Sequence, residues 1–166
     1  MTLRALTLWQ PWAWAISSGH KPLENRTWAP GASMLGEWLA ITAGKKRPLG
    51  ESMLELARVV PEVAQANLHL GAVVAVARLA GCFRVDDYGT VLEHAWGPRG
   101  SLAGWGRDNP RWSIWASGPW CWAFDEVVTL RAPVACLGAR KVWELPPDVL
   151  AEVRKGFAAA KAADAR

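Results

Sequence analysis

The sequence predicts an α+β fold, a small mixed β-barrel decorated by short helices and built as a single domain. Three observations carry that prediction. Short apolar runs of strand length recur along the chain with helical stretches between them. The 166 residues are 51% apolar and 20% charged, which suits one ordinary core and excludes disorder over most of the chain. The longest apolar runs, such as residues 72–77, fall far short of the roughly 20 residues that a membrane span needs.

In chain order, residues 3–8 read as a strand. Pro11 suits the first turn of a helix over 11–18, which Gly19 stops. Residues 19–26 read as a tight polar loop. A strand over 38–42 is ended by Gly44-Lys45-Lys46-Arg47-Pro48. Residues 51–70 are helical in pattern, with Pro61 a kink or a second start. Residues 72–85 are valine-rich and almost continuously apolar, which marks a central strand. Residues 86–118 are rich in Gly, Pro, Trp and Asp without periodicity. They read as one long loop with at most a short helix, and loops of that length in compact domains are usually functional. Strands return at 120–124 and 127–130, with shorter ones at 133–136 and 139–143. Pro146-Pro147-Asp148 opens a last helix with Val149, Leu150, Val153 and Phe157 on one face. Gly156 weakens it, and the alanine-rich tail from Ala158 should fray. The domain thus covers residues 1–146, and 147–166 form a C-terminal helix and tail.

The net charge of +4 is unevenly placed. Residues 1–50 hold six basic and two acidic side chains, whereas residues 51–100 hold four basic and six acidic. A positive N-terminal third suits an anionic or nucleic-acid ligand, and equally suits a solvated basic loop. The apolar stretch 3–16 is interrupted by Gln10-Pro11 and has only Arg4 as a charge, which argues against a secretory leader. Cys82, Cys121 and Cys136 are odd in number and widely spaced. They form no disulfide framework, so a reducing cytoplasm is expected. His20, His69 and His94 have no metal-ligand spacing, and no phosphate loop, GxSxG or HExxH motif occurs. No metal and no cofactor is expected.

The informative block is Gly19-His20-Lys21-Pro22-Leu23-Glu24-Asn25-Arg26-Thr27-Trp28, which gathers a lysine, an acid and a fixed cation within six positions. It resembles the GxKxxExR signature of the larger ASCH domains, a branch of the PUA-like superfamily. Leu8-Trp9-Gln10-Pro11-Trp12-Ala13 is similar to the segment preceding that signature, and residues 39–45 to the strand and lysine that follow it. Residues 71–76 and 118–124, with Pro133, Gly138 and Trp143, resemble later landmarks in order. The resemblance implies a PUA-like barrel with a cleft beside the signature and a nucleotide-related ligand. Members are associated with RNA binding, with RNA cleavage, and with hydrolysis of N4-acylated cytidine by a lysine, a threonine and a glutamate. Lys21 matches the lysine, Glu24 stands where the threonine would be, and Glu93 best matches the later glutamate.

The resemblance implies Lys21 and Glu93 as catalytic groups. Glu24, which departs from the family's threonine, is expected as their acid/base partner. Trp9, Trp12, Arg26, Trp28 and Lys45, which flank the signature or lie near it in sequence, are expected to bind substrate. A lysine attacks or takes a proton only when neutral, and free lysine titrates near 10.4. Burial or a nearby cation such as Lys45 lowers that value, and an adjacent carboxylate raises it. The partner of Glu24 therefore decides the role. Paired with Arg26, Glu24 leaves Lys21 open to depression. Paired with Lys21, it keeps the lysine a cation that binds phosphate or steadies an oxyanion while a glutamate activates water.

Twelve tryptophans extend the set of candidates, because an indole stacks on any base. Trp14, Trp38, Trp122 and Trp143 lie in periodic elements and are assigned to the core. Trp96, Trp105, Trp112 and Trp115 lie in the long loop, where they must be buried or used. The leading expectation is an amidohydrolase of N4-acylated cytosine nucleosides or bases. The alternative is a non-catalytic module that binds single-stranded RNA or a modified nucleotide, and a ribonuclease comes third. A membrane partner is not expected.

Overall fold

A computed structural model describes residues 3–87, 91–95 and 114–165, with backbone only for 92–95. The chain divides into two compact units. One comprises Met1–His20, Leu39–Ala77 and Val127–Arg166; the other comprises Lys21–Trp38 and Arg78–Glu126.

In the first unit β1 (Arg4–Leu8) runs parallel to β3 (Trp38–Ala43), with Thr7 opposite Thr42. On its other edge β1 pairs antiparallel with β7 (Val142–Glu144). Two long strands, β4 (Ala72–Val85) and β6 (Trp120–Ala135), continue the hydrogen-bonding order as β6-β4-β3-β1-β7. Helix α1 (Trp12–Ser17) buries Ala13, Ala15 and Ile16, and Gly19 just beyond it takes φ +79°, a conformation that glycine adopts without strain. Helix α2 (Gly50–Ala57) buries only Leu56, and α3 (Pro147–Asp164) buries Val153 and Ala160. Leu6, Ile16, Leu39, Ile41, Val73 and Val76 are fully buried, each contributing about 1.5–3 kcal/mol.

In the second unit β2 (Leu23–Arg26) lies antiparallel on the first half of β6, with Glu24 opposite Trp122 and Asn25 opposite Cys121. The far end of β4 pairs with β6 and also antiparallel with β5 (Val91–Ala95). Leu23, Leu79, Phe83 and Trp122 form the core of this unit.

The α+β class and the mixed sheet are as the sequence predicts, and residues 72–85 form the expected strand. Four local expectations are corrected. Residues 23–26, read as part of a polar loop, are strand β2, because pairing with β6 supplies the order that polar side chains do not signal. The separate strands expected at 120–136 are one strand. Arg78 on β4 neutralises its acidic interruption, donating to both oxygens of Asp125 at 2.8 Å and reaching Glu126 at 3.6 Å. The helix expected over 51–70 ends at Ala57, and Pro61 opens a separate 3-10 turn, Pro61–Gln65. The tail expected to fray from Ala158 stays helical to Asp164, with Ala160 buried. Gly156 does not break this helix, and an added methyl there would meet a leucine methyl of Leu130 at 3.4 Å, an ordinary contact distance.

Candidate functional site

The signature residues meet inside the second unit. Lys21 is only 5% exposed, and a lysine is rarely buried unless its charge is paired. Its Nζ donates to the Leu23 carbonyl at 2.9 Å and to Glu24 Oε2 at 3.1 Å. The other oxygen of Glu24 lies 3.4 Å from Arg26 Nε. Glu24 and Arg26 are two residues apart on β2, so the pleat turns both to one face. Lys21 comes from the turn just before that strand. The three form a line of cation, anion and cation, with side chains between 6% and 21% exposed.

Both partners considered for Glu24 are therefore engaged at once. An ammonium held on a carboxylate is a charge and a hydrogen-bond donor, and it becomes a nucleophile only by giving up a proton. One positive charge remains over the three groups, suited to a developing oxyanion or a phosphate.

The opposite face of β2 carries a residue that sequence reasoning passed over. Asn25 Nδ2 donates to the Trp115 carbonyl at 2.8 Å. Its Oδ1 accepts from the Ser117 amide at 3.0 Å, the Gly118 amide at 3.2 Å and the Cys121 thiol at 3.3 Å. A single amide thus fastens the turn before β6 to the strand that carries Glu24 and Arg26. Two signals were available: alternation puts Asn25 opposite its charged neighbours, and Ser117-Gly118-Pro119 is turn chemistry that needs a capping partner. Gly118 takes φ +59° there, and a Cβ would meet Val85 at 2.4 Å, so only glycine fits.

Two buried thiols flank this turn. Burial pushes Cys121 up to about 11, against a weaker downward pull from the Gly118 backbone and Lys21. Burial, with Cys121 adding to it, pushes Cys82 up to about 12. Both are unreactive thiols at neutral pH. Trp28 stands edge-on to Trp122, centroids 4.7 Å apart, and its carbonyl accepts the Trp122 indole N–H at 3.0 Å. Trp122 is fully buried, as its assignment to the core requires, whereas Trp14, Trp38 and Trp143 are only half-buried.

The remaining candidates are placed as follows. Trp9, Trp12 and Lys45 belong to the first unit. Trp9 is 60% exposed, and the cation over its ring is Lys46, 5.5 Å from the centroid. Trp12 is half-buried in α1 and Lys45 is exposed. The backbone of Glu93 lies in β5 opposite Arg84, and its side chain falls outside the described residues. Of the four loop tryptophans, Trp115 is buried; Trp96, Trp105 and Trp112 lie outside the described residues. Among the described residues there is no cluster of metal-ligating side chains, and no helix is long and apolar enough to cross a membrane.

No family model matches the chain, and no curated protein matches it in sequence. In three dimensions the chain is similar to the solved structure of ASCH from Zymomonas mobilis. The TM-score is 0.51 at 15% identity, over 93% of this chain and 94% of that one. Two single-residue variants of that Zymomonas protein match over the same share of this chain at TM-scores of 0.47 and 0.48. The chain has an α+β fold with a mixed sheet, and it is the fold of this ASCH protein. At such low identity the likeness is one of fold, and it supports the resemblance read from the signature.

Proposed function

We propose that the chain is an ASCH-domain amidohydrolase that removes the acyl group from N4-acylated cytosine nucleosides or bases. The observation that carries this reading is the buried line Lys21–Glu24–Arg26, in which a carboxylate touches an ammonium at 3.1 Å. An amide needs two things to be hydrolysed: a base for water and a positive donor for the oxyanion.

Glu24 is the base. An ionised carboxylate has about four lone-pair sites; the hydrogen bond from Lys21 accounts for one, and Arg26 Nε lies in ion-pair range of the other oxygen. Glu24 takes a proton from water as the water oxygen bonds to the acyl carbon. Lys21 donates to the oxygen that becomes negative. The tetrahedral species collapses with cleavage of the carbon–N4 bond, and Glu24 returns its proton to N4. The products are the free cytosine amine and a carboxylic acid. Arg26 holds Glu24 in place. Glu93 remains a proposed second carboxylate, and Trp9, Trp12, Trp28 and Lys45 proposed binding groups. Three free cysteines fit a reducing cytoplasm.

Incubation of the wild type and Lys21→Ala with N4-acetylcytidine, followed by ultraviolet absorbance, tests the reading. Loss of the acyl chromophore with wild type alone is expected. An unchanged spectrum with both proteins ends the proposal.

A second reading is favoured by one observation: Trp9 is largely exposed beneath Lys46, with Lys45 and Arg47 exposed beside it in sequence. A bare indole among cations suits a base followed by a phosphate. On that reading the protein binds RNA or a modified nucleotide without cutting it. Affinity then falls steeply with salt, because phosphate contacts release counterions. Chain cleavage that disappears in Lys21→Ala points instead to a ribonuclease.

A further inference from the structure

The first unit contains a cavity of about 190 Å³ that the proposed chemistry does not use. Its walls come from α1, from the stretch that leads into β4, and from the second half of β6. One wall is the Trp14 indole, and Val74, Leu130 and Pro133 supply the apolar remainder. The assignment of Trp14 to the core is corrected accordingly: it is half-buried and lines an open space.

The polar groups of this cavity are of two kinds. The first kind is committed to building it. Gln10 donates to the His69 carbonyl at 2.8 Å and accepts the Trp14 amide at 2.9 Å, tying α1 to the approach of β4. Ser17 and Ser18 both donate to the Trp14 carbonyl, and Thr129 donates to the Ser17 carbonyl. These hydroxyl protons are spent on the frame. The second kind is open to a visitor. Arg131 lines the cavity and, among the described residues, makes no ion pair. Asn67 and His69 also line the cavity; among the described residues no carboxylate does, and its permanent charge is that of Arg131.

We propose that this cavity binds a small planar organic anion, one aromatic ring bearing one carboxylate. The ring lies on Trp14 between Val74 and Leu130, and the carboxylate meets the Arg131 guanidinium. Three features select that class. The volume lies below the roughly 300–1,000 Å³ of clefts for drug-sized ligands, which limits the occupant to about one ring. An indole beside aliphatic side chains rewards a flat apolar body. A planar guanidinium without a protein acid favours a carboxylate, which it grips through two parallel bonds. The inference does not rest on the amidohydrolase reading, whose Lys21, Glu24 and Arg26 lie in the other unit.

The test uses the full chain with three probes, followed by the nuclear magnetic resonance signals of Trp14 and Val74. Benzoate supplies ring and charge, benzamide the ring alone, and acetate the charge alone. Benzoate is expected to shift the Trp14 and Val74 signals saturably, with benzamide and acetate at least about tenfold weaker. Arg131→Gln, at an exposed position that leaves folding intact, should weaken benzoate by about tenfold and leave benzamide unchanged. Thermal unfolding of that variant verifies that it folds. Benzamide binding as tightly as benzoate overturns the proposal. So does an unaltered benzoate affinity in folded Arg131→Gln, and so does the absence of any saturable shift.

Discussion

The Lys21–Glu24–Arg26 line and the Arg131 cavity handle charge in opposite ways. In the first, three charged side chains are largely withdrawn from water and each touches another within 3.4 Å. In the second, an exposed cation lies beside an aromatic ring with no acid among the lining residues. A buried charge must carry its counterpart with it, since the cost of desolvation exceeds what any loose contact returns. An exposed charge is hydrated and can wait for a ligand. The first arrangement is tightly coupled to folding and the second almost uncoupled from it, and substitutions should separate them.

The largest effect is expected at the buried line. Glu24→Ala leaves Lys21 without its carboxylate and should cost about 3–5 kcal/mol, read from urea denaturation. A cost under about 1 kcal/mol would show that water reaches the lysine freely. Asn25→Ala removes four contacts from one amide and leaves the Ser117 and Gly118 amides without their acceptor. About 2–3 kcal/mol is expected by the same measurement.

Alkali extends the contrast. The folded thiols of Cys82 and Cys121 titrate above their unfolded values, so the unfolded chain loses protons first. Their contribution is fully present below about pH 8.5 and is lost as pH rises toward the folded values of about 11 and 12. Denaturation midpoints should therefore fall steadily above pH 9, and replacing both thiols with alanine should flatten that fall.

Gly156→Ala should act in the other direction. It gains helix propensity of up to about 1 kcal/mol, and its methyl lies at ordinary contact distance from Leu130. A rise of about 2–4 °C in Tm is expected. The smallest effect belongs to Arg131→Gln, within about 0.5 kcal/mol of wild type, which is the stability counterpart of its open position.

Much of this was legible in the sequence, for definable reasons. Residues 72–85 show their strand because burial on both sides leaves an apolar run interrupted only by Arg78, Gly81 and Arg84. Lys21, Glu24 and Arg26 stand out because charged residues so closely spaced must meet on a short loop or strand. What the sequence concealed depends on partners far along the chain. Strand β2 carries Glu-Asn-Arg and no apolar alternation, and its order comes from β6, almost a hundred residues on. The continuity of β6 through Asp125-Glu126 depends on Arg78, 47 residues earlier. The role of Asn25 needs a turn at 115–118 to be in reach, and no spacing rule announces that. The cavity in the first unit draws on three separated stretches, so its cation and its indole never appear as one motif.

The edge-on pair Trp28 and Trp122 has a consequence of an optical kind. Two indoles whose rings stand 86° apart with centroids at 4.7 Å share their electronic transitions, so they absorb left- and right-handed light unequally as a couple. Trp28 ends the stretch that carries the signature, and Trp122 lies across from Glu24 in the neighbouring strand. The far-ultraviolet circular dichroism of this protein, where indoles absorb most strongly, should therefore contain a couplet that disappears in Trp28→Phe. Its amplitude follows any movement of β2 against β6. The molecule carries its own label at the strand where the proposed chemistry takes place, and a ligand that disturbs that strand can be seen without attaching anything to the protein.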